Sequence, residues 1–271
     1  MTTMTVLVTG AANGIGFETA SLLAKKGLQV IATDVDKERL KKLAEKDGII
    51  TCCLDVTDPE SIKGAVSFIS SKFSKLDILI NGAGIFVAGP LVEINEEVVE
   101  QIIDVNILGP FRVTKAFFPL LNKQKGMVIN LGSETGRFAY PFNGPYTMTK
   151  YALEAYSDSL RRELQCLGIK VVLLQIGPMK TSMTIDLTKS FSEHLDVNPT
   201  CFKKQLELMA KTTKNEYQNA NDPICVAKKI HSIIHKRNHR SRYRVKNNFK
   251  RSLLEFLPTK IVDFFMKKYL T

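Results

Sequence analysis

The chain reads as a single doubly wound α/β domain, a Rossmann-type parallel sheet flanked by helices. Three observations predict it. Short apolar runs alternate with amphipathic helical stretches over the first 175 residues. Several runs are apolar throughout, the pattern of strands covered on both faces. The first run ends in a glycine-rich turn that leads directly into a helical pattern. Such a β-α-β rhythm is built with right-handed crossovers between parallel strands.

Six strands are predicted in order: 5–10 (TVLVTG), 29–34 (QVIATD), 49–56 (IITCCLDV), 76–84 (LDILINGAG), 126–133 (GMVINLGS) and 169–176 (IKVVLLQI). Helical patterns fill the gaps, as in 17–27, where Gly27 suits a C-cap. The stretch 179–222 breaks the rhythm; it is polar, partly helical and long for a loop, and is read as a substrate loop. The expected division is a catalytic domain over 1–250 that includes this loop, followed by an amphipathic basic segment over 251–271.

Composition fits an ordinary soluble globular protein, with 44% apolar and 24% charged residues. No apolar run approaches the ~20 residues needed to cross a bilayer. No signal peptide precedes the first strand, so a cytoplasmic setting is expected. Cys52, Cys53, Cys166, Cys201 and Cys225 show no metal or redox spacing and read as reduced, mostly buried thiols. The net charge of +11 is unevenly placed. Residues 224–271 hold 13 Lys+Arg and 2 Asp+Glu, leaving 25 of each sign in the rest of the chain. The body is neutral and the tail is basic.

The turn TGAANGIG (9–16) carries Gly10, Gly14 and Gly16, with Asn13 and Ile15 between them. Glycine there allows a tight turn and close approach of backbone to a pyrophosphate, and the following helix offers free N–H groups to the phosphates. Asp34 ends the second strand, 18 residues after Gly16. A carboxylate at that point accepts hydrogen bonds from ribose hydroxyls and repels a 2′-phosphate. With Val35 next and Asn13 uncharged, NAD is favoured over NADP.

These features, followed in order by Asp55–Val56, NGAG (81–84), Asn106, Ser133 and the pair Tyr146 and Lys150, resemble the classical short-chain dehydrogenase/reductase family over roughly residues 5–182. A Tyr-x-x-x-Lys spacing alone is expected about 0.7 times by chance in such a chain, so the ordered set carries the weight. The resemblance implies that Asp55 and Val56 contact adenine and that Asn81 holds the central strand. Gly82 stands where the family has a second Asn; the side chain is lost, while the backbone of Gly82 and Ala83 stays near the adenine ribose. After the sixth strand, Ile176 replaces the family's Pro, while Gly177 and Thr181 keep their places. Gly177, Met179 and Thr181 are thereby implied around the nicotinamide, with Thr181 on its carboxamide.

Residues i and i+4 share a helix face, so Lys150 stands beside Tyr146. A tyrosine of pKa ~10 is a poor base near neutrality, and lowering it by ~3 units takes ~4 kcal/mol. A cation ~4 Å away at an effective dielectric of ~20 supplies about that much. Lys150 is therefore expected to lower the Tyr146 pKa, and by family analogy to bind the nicotinamide ribose. Ser133 is placed to hydrogen-bond the substrate oxygen. By resemblance, Asn106 holds a water chain to the lysine.

Candidate pocket walls are Ile85, Phe86, Val87, Phe138, Tyr140, Pro141 and Phe142, with Phe191, Leu195, Phe202 and Leu206 as a lid. They predict a lipophilic alcohol and its carbonyl, of steroid, retinoid or fatty-chain type. Packing of a core or subunit interface is the competing use of these residues. Arg137 keeps a hydroxy-acid or acyl-carrier substrate open. The tail 253–270 suits either an amphipathic helix on anionic lipid or packing on the domain or a second subunit. No nucleic-acid motif accompanies its charge. His231, His235 and His239 share a helical spacing, but no carboxylate or cysteine is placed to complete a metal site, so no metal is expected.

The function implied is an NAD-dependent oxidoreductase, a homodimer or homotetramer by family analogy, with a non-catalytic NAD-binding redox sensor recruited by its tail as the alternative.

Overall fold

The computed structural model describes residues 3–123, 125–197 and 200–271. The six predicted runs form β1 (Thr5–Thr9), β2 (Gln29–Asp34), β3 (Ile49–Cys53), β4 (Ile78–Asn81), β5 (Met127–Leu131) and β6 (Lys170–Ile176). A seventh strand, β7 (Arg242–Val245), comes from the basic region that sequence reading treated as tail. Every neighbouring pair is parallel, in the order β3-β2-β1-β4-β5-β6-β7.

Because successive side chains of a strand point to opposite faces, the apolar runs feed two cores. Val6 and Val8 pack with α1 (Gly14–Lys25), α2 (Lys37–Ala44) and α9 (Ile224–Ile234). Leu7 packs on the other face with α3 (Pro59–Lys72) and α5 (Gly109–Asn122). Also placed are α4 (Glu96–Ile103), α6 (Gly144–Leu164) and, within 179–222, α7 (Ser182–Val197) and α8 (Lys203–Gln218). The stretch expected to be only partly helical is thus mainly a helical hairpin. Two short helices close the chain, α10 (Phe249–Leu254) and α11 (Thr259–Leu270). Among the described residues no helix is long and apolar enough to cross a membrane.

Gly27 follows the last turn of α1 with φ 84°, the left-handed geometry of a helix stop. The cysteines depart from expectation: Cys53, Cys166 and Cys201 are exposed, and Cys52 and Cys225 are half-buried. β3 is an edge strand, and Cys166 lies in the turn after α6, so neither place offers a core.

Candidate active site

Strand order reverses between β1 and β4, and ligands of open α/β sheets bind at the carboxyl ends of strands at such a point. The glycine turn lies there. Gly10 has φ 69°, and a Cβ on it would come within 2.8 Å of the Ala83 backbone. Only glycine lets the turn lie this close to the loop after β4. A Cβ on Gly16 would collide with the Gly10 carbonyl. Asn13 caps α1, accepting the Gly14 N–H at 2.7 Å, and its Nδ2 donates to Ser182 Oγ at 2.6 Å. Thr181 closes on Gly14 from the same side. The amides of Ile15 and Gly16 have no intrahelical acceptor and face the same end of the helix. Asp34 accepts the Ala12 amide at 3.0 Å and the Asp36 amide at 3.0 Å, so its carboxylate is fixed beside the turn.

Thr9 ties this turn to β4: its Oγ1 accepts the amides of Gly82 and Ala83 at 3.0 and 3.2 Å. A Cβ at Gly82 would meet the Thr9 carbonyl at 2.7 Å, which accounts for glycine where the family has Asn. The support expected of that Asn is supplied lower down, where Asn81 Nδ2 donates to Asn130 Oδ1 at 2.8 Å and to Thr114 Oγ1 at 3.1 Å. Asp55 binds the amide and hydroxyl of Thr57, and Val56 is buried against Gly109. Gly177 lets the chain leaving β7 pass, since a Cβ there would strike the Lys246 carbonyl. Met179 turns its side chain into the core, which leaves its backbone for any contact with a ligand.

The catalytic candidates converge at the ends of β4 and β5. Ser133 Oγ accepts from the Thr135 amide at 3.2 Å and from the Thr135 hydroxyl at 2.9 Å. With both lone pairs used, its own proton is free to donate. The Ser133 hydroxyl lies near enough to Tyr146 to favour its phenolate, and the Phe86 ring stacks on Tyr146 with centroids 4.2 Å apart. Lys150 Nζ lies 5.3 Å from the Tyr146 ring centroid and donates to the Leu131 carbonyl at 3.1 Å. Asn106 sits in a π-turn, Asp104–Leu108, of the kind that recurs at functional sites. It binds both backbone groups of Ile85, at 2.9 and 3.0 Å, and Thr149 Oγ1 at 3.1 Å. It thereby fixes the loop that presents Phe86.

One expectation is corrected. Burial pushes Tyr146 up to about 12, against a lowering contribution from the Ser133 hydrogen bond. Burial likewise pushes Lys150 down to about 8. Lys150 therefore does not bring the phenol below its ordinary value in the protein alone. Desolvation of both groups outweighs their attraction, and the ammonium is aimed at a carbonyl.

Phe86 and Phe142 join Phe191, Leu195, Phe202 and Leu206 in one apolar cluster, so predicted walls and lid do meet. Phe191 and Leu206 are fully buried within it, so they form the lid's core and leave Phe86 against the tyrosine. Phe138 stacks edge-on with Tyr140, whereas Arg137 is exposed. Sequence reading missed Thr9, Thr135 and Thr149, whose roles depend on backbone placement, and Glu134 with Arg251. The latter two form a cluster behind Ser133. Arg251 Nη1 donates to Glu134 at 2.6 Å and Nε to Tyr140 at 3.0 Å, with Nη2 on Glu216 of α8. Among the described residues no group of three or more His, Cys, Asp or Glu is placed to hold a metal ion.

Known proteins share this layout. Retinol dehydrogenase 16 from Rattus norvegicus is 36% identical over 190 residues, covering 68% of this chain and 60% of that protein. The mitochondrial D-beta-hydroxybutyrate dehydrogenase of Mus musculus is 36% identical over 182 residues, 64% of this chain and 53% of that one. The chain thus spans three fifths or less of the length of these curated relatives. Among solved structures, a short chain dehydrogenase/reductase from Burkholderia phymatum in complex with NAD superposes with TM-score 0.81 at 20% identity, over 97% of this chain and 95% of that one. A serine dehydrogenase complexed with NADP+ gives 0.77 at 25%, over 89% and 94%. The short chain dehydrogenase family model matches residues 4–191, more than half of the sequence, and the chain belongs to that family.

Proposed function

We propose that the protein is an NAD-dependent oxidoreductase that interconverts a lipophilic alcohol and its carbonyl, with Tyr146 as the acid/base. The observation that carries this reading is a buried tyrosine near a serine whose proton is free to donate, beside a buried lysine and against an apolar cluster. The chemistry that a bound nicotinamide supplies is hydride acceptance or donation. The glycine turn, the α1 amides and the Asp34 carboxylate fit the nucleotide half of that cofactor, and the fixed anion of Asp34 supports NAD over NADP. Asp55, Val56 and the backbone of Gly82 and Ala83 extend the same cleft. Thr181, Gly177 and the Met179 backbone serve its far end.

At neutral pH Tyr146 holds its proton, which sets it as the acid for carbonyl reduction. Ser133 orients the substrate oxygen and stabilises charge developing on it. Oxidation requires Tyr146 to lose its proton, and the Lys150 ammonium then stabilises the phenolate in the same buried space. Asn106 keeps Ile85 and Thr149 in place around this relay. Phe86 and the lid cluster support a steroid, retinoid or fatty-chain substrate. The relatives named for retinol and hydroxybutyrate bracket this range at its lipophilic and hydroxy-acid ends.

An apolar groove of about 280 Å³ between α5 and α6, lined by Phe111, Phe118 and Leu160 among others, supports a homo-oligomer. Five thiols free of disulfides support a reducing compartment.

The test is cofactor reduction with NAD⁺ or NADP⁺ against a panel of lipophilic and hydroxy-acid alcohols. Tyr146→Phe is expected to lower turnover by about a thousandfold while sparing cofactor binding. NADP⁺-only turnover would refute the role given to Asp34. Cofactor binding without turnover across the panel would make the chain a nucleotide-binding module.

A further inference from the structure

Contiguous apolar surface on a folded protein marks a contact site. Residues 249–265 present two such stripes. Phe249, Leu253 and Phe256 recur at i, i+4 and i+7; Ile261, Phe264 and Phe265 recur at i, i+3 and i+4. All six are exposed, with Phe249, Phe256 and Phe264 at 81, 74 and 64%. These helices are seated on the body. Gln205 of α8 donates to the Leu270 carbonyl at 3.3 Å, and Thr212 of α8 bonds Tyr269 at 2.9 Å. α10 is held by Arg251 and by Asn248, whose amide donates to Glu134 at 2.9 Å. The apolar stripes are therefore outward faces of helices tied to the body by these bonds, and neither helix buries a residue of its own.

The exposed charge around them is mainly positive, with Asp263 the exposed carboxylate of α11. Arg242, Arg244 and Arg251 are spent on Glu154, Asp158, Glu255, Glu134 and Glu216. Lys250, Lys260, Lys267 and Lys268 are exposed, and Lys268 continues the Ile261, Phe264 and Phe265 stripe at helical spacing. We propose that the outward face of α10 and α11 docks on an anionic lipid bilayer, phenylalanines in the acyl boundary and lysines at the headgroups. A second copy of the same face would bring four lysines and Asp263 against the same set, a net repulsion of like charge, whereas a bilayer of anionic lipid complements the excess of lysines. α8 joins this face to the lid cluster that holds Phe86, so a lipid surface would lie one helix away from the cover of Tyr146. Docking does not rest on the oxidoreductase reading, because its readout is binding.

The experiment is co-sedimentation of the full chain with phosphatidylcholine vesicles, with and without phosphatidylserine. Two variants are compared, Phe264→Ser with Phe265→Ser, and Lys260→Gln with Lys267→Gln and Lys268→Gln; thermal unfolding reports whether each keeps its fold. Binding is expected to need phosphatidylserine and to weaken in salt. The lysine variant should bind about a hundredfold less tightly, and the phenylalanine variant should not bind. No binding to anionic vesicles, or binding that both variants retain, would overturn the proposal. So would a dimer that the phenylalanine variant abolishes in a protein that ignores vesicles.

Discussion

Two buried ionisable clusters meet at the turn that carries Ser133 and Glu134, and their partners answer the same burial in opposite ways. On one side lie Tyr146 and Lys150, a phenol near the Ser133 hydroxyl and an ammonium that donates to the Leu131 carbonyl. Burial drives both toward their neutral forms. On the other side Arg251 meets Glu134, Tyr140 and Glu216. Burial opposes its charge as well, but Tyr140 and Glu134 more than offset it, and its pKa stands above the ordinary value. A charge matched by carboxylates holds structure. Lys150, left without a carboxylate, stands close to releasing its proton near neutrality, the kind of shift that marks acid/base sites.

The contrast breaks most sharply at Arg251. Arg251→Met leaves Glu134 a buried carboxylate with only the Asn248 amide on Oε2, and should lower stability by about 3 kcal/mol in a denaturant titration. An unchanged midpoint would mean that the cluster holds nothing. Lys150→Met should do the reverse, raising stability at pH 7 by about 2 kcal/mol while abolishing turnover.

The pH dependence sharpens that second effect. Lys150 sits at about 8 when folded, against its ordinary 10.5. Between those values the unfolded chain binds a proton that the folded chain has released, so stability due to Lys150 rises with pH across this window. Lys150→Met lacks the rise, and its advantage should shrink toward zero near pH 10.5. Tyr146 acts in the other direction only above pH 10, where the folded state keeps a proton that the unfolded state loses. Equal pH profiles for the two proteins would contradict the burial of Lys150. The smallest effect belongs to Tyr140→Phe, which removes one of the Arg251 hydrogen bonds and should cost about 1 kcal/mol.

The Lys150 side of this contrast was readable in part. Six strands, the glycine turn, Asp34 and the Tyr146–Lys150 pair all rest on local pattern, and local pattern survives into the structure. The Arg251 side was not. RYRV lies in the basic stretch read as tail, where no strand is predicted, yet it is β7. Its cations are matched by Glu154, Asp158 and Glu255, which lie 88, 84 and 11 residues away in sequence. Charge pairing across such separations leaves no trace in a window of sequence. The pKa directions were hidden for a related reason, since i, i+4 spacing shows that Lys150 is near Tyr146 but not how little water reaches either. Gly82 looked like a loss of support until the Thr9 carbonyl showed why a side chain has no room there.

The Glu134–Arg251 bond closes a loop of 117 residues. The pairings of β1 to β6 are made within the first 176 residues, whereas the face that carries α1 is covered only when α9 packs on it. The turn that aims Ser133 is clamped only after residue 251 has left the ribosome. Contacts this distant in sequence form late and carry the largest ordering cost. Under the proposed function, a chain cut before residue 251 keeps α9 and the glycine turn but loses the clamp behind Ser133, so its turnover should fall further than its nucleotide binding.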